Sequence, residues 1–98
     1  MTTTTTTEVY CRRCRASFKL PLLVDPDRAR IVELARSRDV MGAMRLILKQ
    51  ASDIDLRDAK AVEMHITYKP GICNRCTRPL PRAGQLECPN CGGLNFNW

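Results

Sequence analysis

The sequence predicts a small α+β fold, with a helical middle of two to three helices flanked by cysteine knuckles and a C-terminal cysteine-rich β-hairpin. Three observations predict it. Cys-x-x-Cys pairs occur towards both ends of the 98-residue chain, apolar residues repeat at helical spacing between them, and the last residues alternate between apolar and polar. The predicted segments are a leader (1–8), a knuckle hairpin (9–24), a helical segment (25–66) and a ribbon (67–98).

The first quarter of the chain is polar and basic. Six threonines follow the first methionine, and this stretch without apolar side chains predicts a disordered leader over residues 1–8. Apolar residues on both sides of Cys11-Arg12-Arg13-Cys14 predict a short strand, a knuckle and a return strand. No apolar stretch is long enough for a membrane span or a secretory signal, so we expect a cytoplasmic protein. Thiols stay reduced there, and paired cysteines are more often metal ligands than disulfides.

Three helices are expected in the middle segment, each preceded by an aspartate that can cap its first turn. The caps and their helices are Asp25 with 26–37, Asp39 with 40–51, and Asp55 with a helix that reaches Ile66. Asp58, three positions after Asp55, adds the second half of a capping box. Gly42 inside the second helix is interpreted as the mark of a close approach between helices.

Four short segments of this middle carry a family pattern: Ile31-Val32-Glu33-Leu34, Arg38-Asp39-Val40, Ala43-Met44-Arg45 and Leu56-Arg57-Asp58-Ala59-Lys60. Together they resemble the C-terminal domain of the ribosomal stalk protein, large-subunit protein seven/twelve. The chain departs from the family in one extra residue and in the turn Ser52-Asp53-Ile54, where the family uses glycine. The resemblance implies a basic and apolar face for translation factors, with Arg45 and Lys60 at matching positions. The alternative is that both are ordinary solvated charges.

Two further Cys-x-x-Cys pairs, separated by eleven residues, dominate the last segment: Cys73, Cys76, Cys88 and Cys91. Four thiolates at this spacing can bind one tetrahedral ion, and a site without redox demands suits zinc. The sequence therefore predicts a zinc-ribbon β-hairpin with residues 94–98 as its final strand. A zinc ion with four protein ligands has no open position, so it is expected to be structural. No nucleophile–base set or phosphate-binding glycine loop is present, and we expect no enzyme.

The remaining pair, Cys11 and Cys14, has several interpretations. A metal site that joins the 73/76 pair to the 88/91 pair closes a loop of eleven residues, and one that joins the 11/14 pair to the 73/76 pair closes a loop of 58. The difference in chain entropy favours the first arrangement by about 1.5 kcal/mol. The N-terminal pair could then share a second zinc with another copy and so form a homodimer. It could act as a reversible dithiol, because neighbouring arginines lower thiol pKa values. It could also recruit His65, the only histidine, as a third ligand.

The net charge of +6 lies entirely in the two cysteine-containing ends. Residues 1–24 carry four basic side chains against one acidic, residues 67–98 do likewise, and the middle is neutral. The candidate contact residues are Arg12, Arg13, Arg75 and Arg78. These arginines either offset thiolate charge or contact RNA or DNA phosphates. The sequence predicts a small non-enzymatic zinc-binding adaptor that contacts the translation machinery, RNA or a protein partner. The alternative is a thiol-based redox or metal-responsive regulator.

Overall fold

A computed structural model describes residues 6–98, which form three helices and two antiparallel two-stranded sheets. In chain order the elements are β1 (Thr6–Cys11), β2 (Ala16–Pro21), α1 (Asp27–Arg36), α2 (Val40–Leu48), α3 (Leu56–His65), β3 (Gly84–Glu87) and β4 (Leu94–Asn97). Strand β1 pairs with β2, and β3 pairs with β4. The predicted α+β class with a helical middle is confirmed for this part of the chain.

The N-terminal hairpin begins earlier than the sequence predicted. Strand β1 starts at Thr6, which lies opposite Pro21, and its register continues to Cys11 opposite Ala16. The Thr6 hydroxyl also donates a hydrogen bond to the Asp53 carboxylate at 2.7 Å. The predicted disordered leader is therefore wrong for residues 6–8, because backbone pairing with β2 orders them. The same prediction for residues 1–5 lies outside the described residues.

Two of the three predicted helix caps are confirmed. The Asp39 carboxylate accepts from the Gly42 N–H at 3.0 Å. Asp55 and Asp58 form both halves of the capping box, at 2.9 and 3.2 Å. Helix α1 differs, because Pro26 occupies the cap position without a side-chain bond. Helix α2 ends at Leu48, three residues before the predicted end.

Gly42 leaves room for the side chain that caps α2. A methyl group placed on Gly42 would collide with the Asp39 carboxylate, whose Cγ would lie 2.8 Å away. Glycine is thus required in the first turn of α2 because the capping side chain occupies the space of a Cβ atom. The interpretation of Gly42 as a site of close approach between helices stays a prediction.

One apolar core joins the N-terminal hairpin, the three helices and β4. Its members include Val9, Phe18, Ile31, Ala35, Met44, Ile47, Val62, Ile66, Leu94 and Phe96. The Phe96 ring has no exposed surface, stacks on Trp98 at a centroid distance of 4.8 Å, and meets Phe18 edge-on at 6.2 Å. The last strand of the predicted ribbon is therefore part of the core of the helical middle.

Polar contacts also hold the C-terminal strand against α1. The Arg36 guanidinium donates to the Thr67 carbonyl at 2.9 Å, to the Thr67 hydroxyl at 2.8 Å and to the Trp98 carbonyl at 2.8 Å. These bonds fix the chain end beside the first helix. None of the helices in residues 6–98 has the length and apolar character that a membrane crossing requires.

Glu63 on α3 is a buried carboxyl group with 2 % of its surface exposed, and its Oε1 atom has no hydrogen-bond partner. Burial raises its pKa, and the nearby Arg38 offsets the rise only in part. The unfolded chain releases this proton at a lower pH than the native chain. The protonated carboxyl group of Glu63 therefore stabilises the fold fully below the unfolded pKa. This contribution is lost as the pH rises through the raised native pKa.

We expect Glu63→Gln to stabilise the protein at neutral pH by about 1 kcal/mol, because it removes a buried, unpartnered charge. For a domain of this size that is a rise of about 4–8 °C in melting temperature. Thermal unfolding with excess zinc should show the largest difference from wild type near pH 8 and a smaller one towards pH 5. Glu33→Gln is the control, because Glu33 is exposed. Equal shifts in the two variants would contradict the burial argument.

Candidate metal centres

The three Cys-x-x-Cys knuckles share one backbone conformation. In each, the residue after the second cysteine donates its N–H to the carbonyl of the first cysteine. The pairs are Arg15 to Cys11 at 2.8 Å, Thr77 to Cys73 at 3.0 Å and Gly92 to Cys88 at 2.9 Å. The donor residue has a positive φ in each case, 55°, 63° and 77° respectively. Only Gly92 adopts this conformation freely; for an L side chain it costs about 1–2 kcal/mol.

Four sulfur atoms meet at the C-terminal end of the molecule. The Sγ atoms of Cys73, Cys76, Cys88 and Cys91 all lie within 4.8 Å of one another. The Cys73–Cys91 separation is 3.7 Å and the Cys76–Cys88 separation is 3.6 Å. In a tetrahedral zinc site with Zn–S bonds of about 2.3 Å, neighbouring sulfurs are about 3.8 Å apart. The four cysteines that the sequence singled out are thus placed where they could hold one metal ion.

Hydrogen bonds favour the thiolate at two of these cysteines, Cys73 and Cys76. Burial opposes ionisation of Cys73, but N–H donors, including those of Arg75 and of the Asn95 amide, outweigh it and lower its pKa. The pKa of Cys76 is lowered to about 6, first by the Arg78 backbone N–H. That of Cys91 is raised to about 11, first by burial, so this thiol releases its proton only at high pH. A bound divalent metal displaces such protons and makes all four sulfurs ligands.

Sequence reasoning missed two asparagines that hold this centre, the buried Asn95 and the partly buried Asn74. Asn95 in β4 is fully buried, donates to the Cys73 sulfur at 3.4 Å, and accepts from the Asn74 N–H at 3.2 Å. Asn74 in turn donates to the Ile66 carbonyl at 2.7 Å, just beyond α3. The only signal in the sequence was asparagine inside a strand, where its propensity is low.

A second cluster contains Cys11, Cys14 and His65, whose ligand atoms also lie within 4.8 Å of one another. The Cys14 Sγ atom is 3.6 Å from His65 Nε2. His65 lies at the end of α3, where its ring stacks on Phe18 at a centroid distance of 5.0 Å. Its Nδ1 atom is 2.6 Å from the Ala61 carbonyl, so Nδ1 carries the proton and Nε2 keeps a lone pair. Burial lowers the pKa of His65 and favours the neutral ring.

The two clusters are neighbours. The Arg75 guanidinium, from the first knuckle of the four-cysteine cluster, donates to the Cys14 sulfur at 2.9 Å. The consecutive N–H groups of Gly93 and Leu94 point at different clusters, to Cys91 at 3.4 Å and to Cys11 at 3.5 Å. The structure thus places the third cysteine pair beside the ribbon, and a third ligand from the same chain faces it.

The N-terminal pair has a poor arrangement for a reactive dithiol. Burial opposes ionisation of Cys11, yet N–H donors, led by that of Leu94, lower its pKa, while 1 % of its surface is exposed. Cys14 is exposed, but its pKa is raised, first by desolvation and then by its bond with Cys11. A reactive thiol needs a low pKa and solvent access in the same residue. Neither thiol of this pair combines a lowered pKa with solvent access.

The fold also gathers arginines from distant parts of the chain. A methyl group on Gly93 would lie 3.3 Å from Cγ of Arg75 and 3.6 Å from Cδ of Arg13. Arg12 is close to Gly92 and lies 3.4 Å from the Glu87 carboxylate. Four exposed arginines lie in or beside the Cys11 and Cys73 knuckles, and we call them the knuckle arginines: Arg12, Arg13, Arg75 and Arg78. Arg45 and Lys60 are exposed on α2 and α3 instead.

Comparisons with protein-family models, curated proteins and solved structures gave no match for this chain. The description of its class rests on its own fold and cysteine clusters. It is a small α+β protein whose four-cysteine cluster could hold a metal ion.

Proposed function

We propose that this chain is a small, non-enzymatic zinc-binding adaptor, in which zinc on the four C-terminal cysteines is structural. The observation that carries the proposal is the pair of sulfur–sulfur separations, 3.6 and 3.7 Å, which match the edge of a tetrahedral zinc–thiolate site. Zinc is favoured over other metals because an all-thiolate tetrahedral site without redox function suits it.

The role of this zinc follows from its ligands and from what they hold. Four protein thiolates leave no position for water or substrate, so the ion would act as a cross-link and not as a Lewis acid. The cross-link ties the Cys73 knuckle to the hairpin of β3 and β4. That hairpin carries Phe96 into the core of the whole chain. Zinc would therefore support the entire fold.

The partner we propose is RNA, contacted by the knuckle arginines. All net positive charge of the sequence lies in the two cysteine-containing ends, and the fold places arginines from both ends around Gly92 and Gly93. Arginine binds phosphate oxygens through parallel N–H donors. The translation machinery, to which the stalk-like segments point, is rich in RNA and would offer such a surface.

We expect the wild-type protein to bind a single-stranded RNA oligonucleotide in a salt-dependent manner. Replacing Arg12 and Arg13 by glutamine should reduce the slope of log affinity against log salt by about 1.4, from about 0.7 for each lost phosphate contact. Fluorescence anisotropy with a labelled oligonucleotide at several salt concentrations measures this slope.

The matched control is the double variant Arg45→Gln, Lys60→Gln, which removes the same charge from α2 and α3. Its slope should equal that of wild type. Absence of salt-dependent binding by the wild type would reject the RNA contact. Loss confined to the control variant would instead place the contact on the helices, as the stalk resemblance implies.

A further inference from the structure

We propose that Cys11, Cys14 and His65 bind a second zinc ion, with a fourth position open to an exchangeable ligand. The site is separate from the four-cysteine centre, and the proposal does not depend on RNA binding.

The distances within the cluster fit a Cys₂His zinc site. With Zn–S of about 2.3 Å and Zn–N of 2.0–2.1 Å, a tetrahedral site has its sulfur and nitrogen ligands about 3.5–3.6 Å apart. The Cys14 Sγ to His65 Nε2 separation is 3.6 Å. The Cys11 sulfur lies within 4.8 Å of both atoms. The three donor atoms are therefore close enough to one another to share one ion.

The histidine is oriented as a ligand. Metal-bound histidines usually donate their other ring N–H to a backbone carbonyl or a carboxylate, which fixes the tautomer. His65 makes this bond from Nδ1 to the Ala61 carbonyl at 2.6 Å, and the lone pair of Nε2 faces Cys14. His65 is 5 % exposed, and Phe18 stacks on one side of its ring. Its orientation is therefore fixed before any metal arrives.

The knuckle itself supplies an independent argument. Arg15 is held at φ 55°, with its N–H on the Cys11 carbonyl, just as the corresponding residues are held in the two knuckles of the four-cysteine centre. This conformation is unfavourable for arginine. The N-terminal Cys-x-x-Cys turn therefore has the same backbone hydrogen bond and positive φ as the two knuckles of the four-cysteine centre.

The fourth position is left to a small molecule. Among residues 6–98, no further histidine, cysteine or carboxylate belongs to this cluster. A pocket of about 160 Å³ borders two of the three ligands, Cys14 and His65, and its other walls include Phe18, Met64 and Arg57. Zinc sites with three protein ligands bind water or another ligand in the remaining position.

The neighbouring charges are compatible with a filled site. Two thiolates, a neutral imidazole and Zn²⁺ give a net charge of zero, so burial of the centre leaves no uncompensated charge. The Arg75 guanidinium donates to the Cys14 sulfur at 2.9 Å. Such a bond to a coordinated thiolate orients the ligand from outside the coordination shell.

Zinc content of the full chain, after equilibration with zinc and removal of the free ion, tests the proposal. We expect two zinc ions per wild-type chain and one in Cys14→Ser, whose changed residue is exposed and so should not disturb folding. His65→Asn should also bind one, because the asparagine amide can replace the Nδ1–H donor but not Nε2. Met64→Ala is the control in the same pocket and should bind two.

The outcomes separate this site from the four-cysteine centre. A wild-type value of one that Cys14→Ser leaves unchanged would overturn the second site and leave a thiol–imidazole hydrogen bond. Two ions in the Cys14→Ser and His65→Asn variants would overturn the ligand assignment. A wild-type value of one that falls to zero in Cys14→Ser would keep this site and reject the four-thiolate centre.

The open position is tested with cobalt(II) in place of zinc and azide as the probe. Azide should change the visible spectrum of the cobalt-loaded wild type and of Met64→Ala, but not that of Cys14→Ser. A wild-type spectrum that azide leaves unchanged would overturn the open position, because a site with a free coordination position binds this small anion.

Discussion

Removal of zinc from the four-cysteine centre is expected to unfold most of this protein. Structural zinc contributes about 10–16 kcal/mol of apparent free energy in small zinc domains at pH 7. A domain of this size has about 5–15 kcal/mol of net stability. Loss of the ion therefore removes as much free energy as the whole fold retains, and a metal-free chain should populate its native state poorly.

The effect should extend beyond the ribbon because β4 contributes to the common core. When the sulfurs of Cys73 and Cys91 separate, the β3–β4 hairpin loses its cross-link, and Phe96 loses its position between Phe18 and Trp98. We expect the helical circular dichroism signal and the emission of Trp98, the single tryptophan, to change together on chelation. Re-addition of zinc should restore both signals, and magnesium should not.

Cys76→Ser gives the same test without a chelator, because it removes one of the four thiolates. We expect it to lower the melting temperature far more than Cys14→Ser, which leaves the four-cysteine centre intact. Metal-free protein, verified by metal analysis, that kept the wild-type melting curve and Trp98 emission would show that zinc does not hold the fold.

Phe96→Ala is expected to cost about 3–5 kcal/mol in free energy of unfolding, which is about a fifth or more of the total stability. The side chain is fully buried and packs against rings from three parts of the chain: Phe18, His65 and Trp98. Alanine leaves a cavity that these rings cannot fill without leaving their own positions. Urea unfolding with excess zinc, followed by circular dichroism, measures the shift of the midpoint.

The control for this variant is Leu22→Ala, since 60 % of Leu22 is exposed and its removal should change the stability by less than about 0.5 kcal/mol. A Phe96→Ala cost below about 1 kcal/mol would contradict the single core. It would mean that the C-terminal hairpin and the helical middle are stabilised separately.

Local features of the chain were predictable because neighbouring residues alone produce them. The Cys-x-x-Cys spacing defines a knuckle, and the caps at Asp39 and Asp55 depend on donors three residues away. The cap expected at Asp25 failed because Pro26 took its place. The start of β1 was missed because threonines have little apolar surface, and β2 orders them through backbone pairing.

The sequence alone determined the class of fold, the three knuckles and the four cysteines that share the ribbon, since these depend on spacing within short segments. Only the tertiary structure decided that His65 faces Cys11 and Cys14, that Asn95 supports Cys73, and that Phe96 lies in the core of the helices. The physical reason is that such contacts join residues far apart in the sequence. Asn95 and Cys73 are 22 positions apart, and Leu94 and Cys11 are 83 positions apart. Packing of the buried side chains, which no local spacing encodes, brings them together.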